Sequence, residues 1–249
     1  MPIQAITTQR LYQHAAEQLA ELIRAGEYGP GAKLPPARDL AKQLGVSRPT
    51  VREALLSLEL AGLVEVRIGS GAFVKQRGPG TMSPAGGTIG ADTGAGAFEL
   101  IAARKLVEPP IAATAAQTIT EPELAALRET LHLMENEAKD RDHWEKLEID
   151  RQFHLGIAQA THNTVLVEVV DKLWKEMFGP IFALLSERTA LTKKQYMTLS
   201  DHHAIYGCIE RRDSLAAHAA MLSHLVNVEL TLLEEADGGD ASEPPRRGG

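Results

Sequence analysis

The chain holds one cysteine, Cys208, in 249 residues. A single thiol cannot close an internal disulfide, so the reducing cytoplasm is the expected compartment. Missing too is any unbroken apolar run approaching the ~18 residues a membrane helix needs, and the polar N-terminus does not read as a signal peptide. No membrane partner is expected. No segment repeats internally, and from Ala97 to Glu235 no stretch alternates apolar and polar residues as a half-buried strand would. The chain also lacks a surplus of positive charge: 26 Lys+Arg against 33 Asp+Glu give a formal net charge of -7, which at first argues against nucleic acid. Dividing the chain removes that objection. Residues 1–77 carry 10 Lys+Arg and 7 Asp+Glu, net +3, whereas the remainder carries 16 and 26, net -10. A mildly basic head on an acidic body suits a specific DNA binder with a separate sensing or assembly domain.

What is present is organised around Ser47 to Gly62, SRPTVREALLSLELAG. Ser47 is a good N-cap, Pro49 is tolerated in a first turn, and Gly62 suits the left-handed residue that ends a helix. Val51, Ala54, Leu55, Leu58 and Ala61 make one apolar stripe, while Arg48 and Arg52, four apart, share a face off it. Arginine can pair bidentately with guanine edges, and the Thr50 hydroxyl can reach a base or phosphate. By itself the stretch is equally a solvated amphipathic helix. Upstream, Ala37 to Gly45 is a short helical pattern closed by a glycine turn, and Arg10 to Ala25 supplies a third helix. Downstream, LVEVRI (Leu63 to Ile68), a GSG turn and AFVK (Ala72 to Lys75) make a hairpin. Together these predict a winged helix-turn-helix.

Gly31 to Val74, GAKLPPARDLAKQLGVSRPTVREALLSLELAGLVEVRIGSGAFV, resembles the DNA-binding domain of GntR-family transcription regulators. The resemblance implies contacts with double-stranded DNA from Arg38, Ser47, Arg48, Thr50, Arg52 and the wing glycine Gly69. Where the family usually has a small polar and then an acidic residue, Pro36 and Ala37 stand here, which puts a contact or cap in question but not the fold.

The expected domains are 1–76 for the winged head, 77–96 for a glycine-rich flexible linker, 97–235 for a helical body and 236–249 for a disordered tail poor in apolar residues. The fold class is mainly α, the head being followed by an all-α antiparallel bundle. Six body helices are predicted: Ala97–Ile119, Glu121–Asp140, His143–Thr161, Thr164–Ser186, Lys193–Arg211 and Asp213–Glu234. Thr120 and Asp213 are candidate N-caps, and Pro109-Pro110 and Gly179-Pro180 predict kinks or breaks. Asp150 and His154 share a helix face, His202 falls with Ile205 and Ile209, and His224 lies on a stripe with Ala217, Met221 and Val228. Three imidazoles and a carboxylate converging from three helices would make a site for a divalent transition metal, with zinc, nickel and manganese all compatible. Nine histidines in one chain also leave some on apolar faces by chance.

RQFHLGIAQATHN and DHHAIYGCIERRDSLAAHAAMLSHL resemble the FCD ligand-binding domain of the FadR-type branch, whose metal-binding members carry an Asp, a His four residues on and two later histidines. That resemblance implies Asp150, His154, His202 and His224 as ligands, with His203 and His218 as alternatives in register, and His132, His143 and His162 as surface or loop residues. It also implies that Arg104 anchors a small carboxylate effector; its plainer reading is an exposed, four-spaced ion pair with Glu108. Trp144 and Trp174 read as core or dimer-interface residues. The whole is expected to be a homodimeric, ligand-responsive repressor. One alternative is a metal-free acyl pocket. Another is a metal-dependent hydrolase, for which no Glu or His stands at local spacing to act as base.

Overall fold

The computed structural model describes residues 10–67, 70–75, 94–136, 143–188 and 195–237, and the chain divides into two compact units, one up to Gly96 together with the chain from Leu233 on, the other Ala97–Leu232. The expected linker, apart from residues 94–96, and the expected tail beyond Asp237 lie outside the described residues.

In the first unit α1 (Leu11–Arg24), α2 (Ala37–Leu44) and α3 (Arg48–Leu60) precede a hairpin of β1 (Val64–Arg67) and β2 (Gly71–Val74), paired antiparallel from Val64 opposite Val74 to Arg67 opposite Gly71. This is the winged helix-turn-helix that the spacing predicts. α2 stops because Gly45 takes a left-handed φ of 67°, which costs a glycine little. Ser47 then caps α3 by accepting the Thr50 N–H at 3.2 Å. Leu19 on α1, Leu40 on α2, Val51, Ala54 and Leu58 on α3, and Val64 and Val74 on the hairpin close one apolar core. Each buried leucine there contributes about 1.5–3 kcal/mol. A feature absent from the sequence reading is that residues 31–34 run along β2: the Gly31 N–H donates to the Val74 carbonyl and the Leu34 N–H to that of Ala72.

The second unit is helical. Among the described residues it contains α4 (Ala97–Thr118), α5 (Glu121–Asn136), α6 (His143–Gln159), α7 (Thr164–Met177), α8 (Pro180–Arg188), α9 (Gln195–Glu210) and α10 (Ser214–Asp237). That is one more than expected, because the segment drawn as one helix to Ser186 breaks at Gly179-Pro180. Pro109-Pro110, by contrast, does not break α4. The two prolines remove the N–H donors for the carbonyls of Lys105 and Leu106; packing of Arg104, Glu108, Ile111 and Ala112 into the interior keeps the rod continuous. Thr120 and Asp213 act as caps, accepting from the Glu123 and Ala216 N–H groups at 3.5 and 3.0 Å. α10 runs to Asp237, past the predicted end.

The most apolar helix has no unbroken apolar run, being interrupted by His218, His224, Asn227 and Glu229. Ser214–Leu233 within α10 is 20 residues at a mean hydropathy of 1.2, long and apolar enough by length and composition to cross a membrane. The reason is that apolar residues line both sides of the helix. Ala217, Met221, Leu225 and Leu232 are buried, while Leu215, Leu222 and Leu230 are exposed.

Candidate functional site

The two units present functional residues in opposite ways. At the start of α3 the hydroxyls of Ser47 and Thr50 lie 2.7 Å apart, and Arg48 beside them is exposed. Arg38 on α2 is also exposed, with Nε 3.4 Å from the Asp39 carboxylate. Three of the six residues implied for DNA contact therefore lie at one helix start, Thr50 being half-buried, and Arg38 is exposed at the start of α2. Gly69 lies outside the described residues. Arg52 departs from expectation: it is only 7% exposed, so it does not share an open face with Arg48. One turn into α3 the helix is already packed on all sides, and Glu53 next to it is equally buried. Pro36, at the N-cap of α2, makes no side-chain cap bond, as its departure from the family pattern implies. The wing is tied to α3 where the Val66 N–H donates to Glu59 at 3.2 Å. At the end of the same unit the Tyr12 hydroxyl donates to the Gly94 carbonyl at 2.7 Å, and a Cβ added at Gly96 would stand 2.5 Å from the Glu53 carboxylate.

The second site is interior. His154 on α6, His202 on α9 and His224 on α10 are 2%, 3% and 1% exposed, and one nitrogen from each lies within 4.8 Å of the others. Ring centroids are 5.6 Å apart for His154 and His202, 5.3 Å for His154 and His224, and 4.5 Å for His202 and His224. Asp150, one turn before His154, places Oδ1 at 2.9 Å from His202 Nε2 and 3.5 Å from His154 Nε2. Geometry decides what these contacts are. Asp150 Oδ1, His202 Nε2 and His224 Nδ1 are buried yet have no hydrogen-bond partner among the described residues. A buried polar atom without a partner costs roughly 1–3 kcal/mol, and although Asp150 and His202 offset each other's charge at 2.9 Å, a shared cation would satisfy all three atoms at once. Imidazole and carboxylate donors facing one centre fit a divalent transition ion, and the three histidines can hold one.

The charges at His224 and Asp150 fit the same reading, whereas at His154 burial is outweighed by Glu108, which raises the imidazole above its ordinary value when no ion is bound. Burial pushes the His224 imidazole down, and the neighbouring His202 adds to this, leaving it at about 4. It is therefore neutral, as a ligand must be. Burial alone would raise the Asp150 carboxyl, but His202 and His154 outweigh that and hold it well below the usual carboxylate range.

Behind His154 lies a layer that sequence reasoning mostly missed. Arg104 on α4 is 1% exposed and Glu108 2%. Arg104 Nε donates to Glu108 Oε1 at 2.6 Å and Nη2 to Oε2 at 3.3 Å, so both readings of Arg104 meet in one place. It has the ion pair with Glu108, but that pair is interior, with Nη2 3.3 Å from His154 Nδ1. The guanidinium stacks 4.1 Å over the ring of Trp174, itself buried on α7. Burial would raise the Glu108 carboxyl; Arg104 and His154 prevail and hold it at about 2. The only signal for Glu108 was its four-residue spacing from Arg104, which fits a surface pair equally well. Asp201, 3.6 Å from His224 Nδ1, gave no signal beyond adjacency to His202.

The other histidines stay apart. His203 is exposed and 2.7 Å from Glu135, His132 bonds the same glutamate at 3.1 Å, and His162 sits 3.0 Å from Glu123. His218 is half-buried and belongs to none of these contacts. The side chain of His143 lies outside the described residues. Trp144 is 39% exposed and stacks on Phe178 with centroids 5.8 Å apart.

Comparison with known proteins assigns both halves. Residues 11–74 match the gntR family of bacterial regulatory proteins, and residues 99–227 match the FCD domain. The Uxu operon transcriptional regulator of Escherichia coli (strain K12) is 38% identical over 239 residues, covering 95% of this chain and 92% of the relative. The Exu regulon transcriptional regulator of the same strain is 36% identical over 227 residues, covering 91% and 86%. The HTH-type transcriptional regulator LutR of Bacillus subtilis (strain 168) is 32% identical over 217 residues, covering 84% and 94%. Among solved structures, Streptococcus agalactiae GntR aligns at 29% identity and a TM-score of 0.45, covering 88% of this chain and 99% of its own. These relatives are transcription regulators rather than enzymes, which sets the hydrolase reading aside. With an exposed helix start in a winged head and a buried polar centre in a helical body, the chain belongs to the GntR family of DNA-binding, ligand-responsive transcription regulators, in the branch that carries a C-terminal FCD domain.

Proposed function

We propose that the protein is a cytoplasmic homodimeric repressor whose heads bind a two-fold-symmetric operator and whose bundle holds a divalent metal and a small organic acid. The observation that carries the second half is the convergence of three buried imidazoles within 4.8 Å, with partnerless atoms on His202, His224 and Asp150. His154, His202, His224 and Asp150 would hold the ion, with zinc, nickel and manganese the candidates. When bound, such an ion offers a Lewis-acidic position to a carboxylate. Imidazoles, not apolar side chains, fill the centre, which speaks against an acyl pocket. The Arg104 charge beside the cluster adds attraction for an acid, although its fork is shared with Glu108. That the relatives regulate an operon and a regulon, by name, supports a similar role here.

In the head, Arg38, Ser47, Arg48 and Thr50 would meet DNA, together with the wing at Gly69. Arg52 would have to leave its buried position to reach a base. An apolar stripe on α10, with Leu215, Leu222 and Leu230 at 83%, 37% and 48% exposure, supports association with a second copy. Coupling follows from linkage: an effector that prefers the dimer geometry unsuited to the half-site spacing weakens DNA binding by the factor by which DNA weakens the effector.

The test is selection of genomic fragments by the purified protein, with and without candidate carboxylates, alongside its metal content and sedimentation. One ion per subunit, a palindromic site and release by one class of acid are expected. Metal-free protein whose melting temperature ignores added zinc, nickel and manganese would remove the metal. A monomer bound to non-palindromic sites would remove the dimeric repressor.

A further inference from the structure

The Arg104–Glu108 pair sits directly against His154, one of the three clustered imidazoles. We infer that Glu108 is a positioning residue for the metal site: it fixes the ring of His154 so that Nε2 faces the centre, and Arg104 in turn fixes Glu108. The inference rests on the metal reading above and adds a role for two residues outside the ligand set.

Glu108 Oε2 lies 2.5 Å from His154 Nδ1, with both side chains essentially excluded from solvent. An ionised carboxylate can only accept, so the proton between them belongs to Nδ1, and in the neutral ring that a ligand requires Nε2 is left as the lone-pair nitrogen, with Arg104 Nη2 3.4 Å away at its edge. Nε2 is also the nitrogen 3.5 Å from Asp150 Oδ1, on the side of the cluster. Arg104 donates to both oxygens of Glu108, at 2.6 and 3.3 Å, and is pinned by the Trp174 face and the Met177 sulfur. The carboxylate therefore has one orientation. Arginine cannot take a proton from Nδ1, so it leaves the tautomer unchanged while preventing Glu108 from turning away. A carboxylate behind a ligating imidazole orients the ring and raises its basicity, and loss of such a partner typically weakens metal binding about 10- to 100-fold.

The experiment uses full-length Glu108→Gln, which keeps size and one acceptor but loses the charge, and Arg104→Lys, which keeps charge but loses the two-point grip. Affinity for zinc is measured by competition with a chelator. Cobalt-substituted protein reports ligand geometry through its visible absorption. About 10- to 100-fold weaker zinc binding with altered cobalt bands is expected in Glu108→Gln, and a smaller change of the same kind in Arg104→Lys. Unchanged affinity and bands in Glu108→Gln overturn the inference and leave the metal reading standing. Failure of the wild-type protein to bind zinc or cobalt overturns both. Should Glu108→Gln fold poorly, zinc-loaded wild-type protein labelled with 15N in its histidines gives an independent answer. His154 must carry its proton on Nδ1; a ring protonated on Nε2 overturns the inference.

Discussion

In the head, the residues proposed to meet DNA are local in sequence and, Arg52 apart, exposed or half-buried; in the body, the proposed ligands and Arg104 come from four helices, between α4 and α10, and are buried except for the partly exposed Asp150. The contrast follows from what each must touch. A DNA duplex is large and charged, so its contacts need a protruding helix start whose polar groups remain hydrated until binding. A small ion and a small acid need convergent donors in a place where water does not compete. Stability is therefore decoupled from function in the head and bound to it in the body, where polar side chains occupy the core.

Four perturbations test that contrast. The largest effect belongs to the body. Arg104→Ala leaves the buried Glu108 charge with His154 alone as its partner and should cost about 3–5 kcal/mol in urea unfolding of the second unit. A loss below about 1 kcal/mol would mean the pair is hydrated and the contrast overstated.

Next is pH, on metal-free protein. His224 is held at about 4 against an ordinary 6.5. Its unfolded form takes up a proton first, so its contribution is lost as pH falls from 6.5 towards 4, by up to about 3 kcal/mol. For His154 burial lowers and Glu108 raises, with Glu108 prevailing, so it lies above 6.5 and works with the opposite sign: its stabilisation is present below 6.5 and lost as pH rises through the folded value. Glu108, at about 2 against 4.5, adds a further loss only as pH falls below 4.5. The melting temperature of the body should thus be highest near pH 6.5 and fall on the acid side. A flat profile from 6.5 to 4 would contradict the buried neutral His224.

The third acts on the head and should leave folding alone. Arg48→Ala is expected to cost about 1–3 kcal/mol of operator affinity and relax one base preference per half-site, without changing the melting temperature. Equal weakening on operator and random DNA would reassign Arg48 to phosphate. Arg52→Ala makes the useful partner, because its burial predicts a loss of stability as well. The smallest is Ser47→Ala. Removing the cap on Thr50 should cost about 1 kcal/mol in the head, and no change would mean the Ser47–Thr50 hydroxyl contact is incidental.

The same contrast governs what could be read in advance. Periodicity, Gly45 and the Ser47 cap carried the head almost complete, since each is a local constraint. The helices of the body followed from their spacing, and His154, His202 and His224 from the apolar stripes they interrupt; the structure brings these three together. Burial of Arg52 was not legible, because four-residue spacing from Arg48 says which residues share a side and not what packs against that side. Nor was the interior place of Glu108, since an Arg and a Glu four apart look alike on a wet face and in a core. Of the kink or break that Pro109-Pro110 predicts, no break occurs: α4 continues through both prolines.

Those two prolines have a mechanical consequence. With the donors to Lys105 and Leu106 gone, α4 is a rod with a soft turn around Glu108. That turn carries the carboxylate that holds His154, so the support of the imidazole sits where the helix yields most easily, and hydrogen exchange should find the amides on the two sides of Pro109-Pro110 opening as separate blocks.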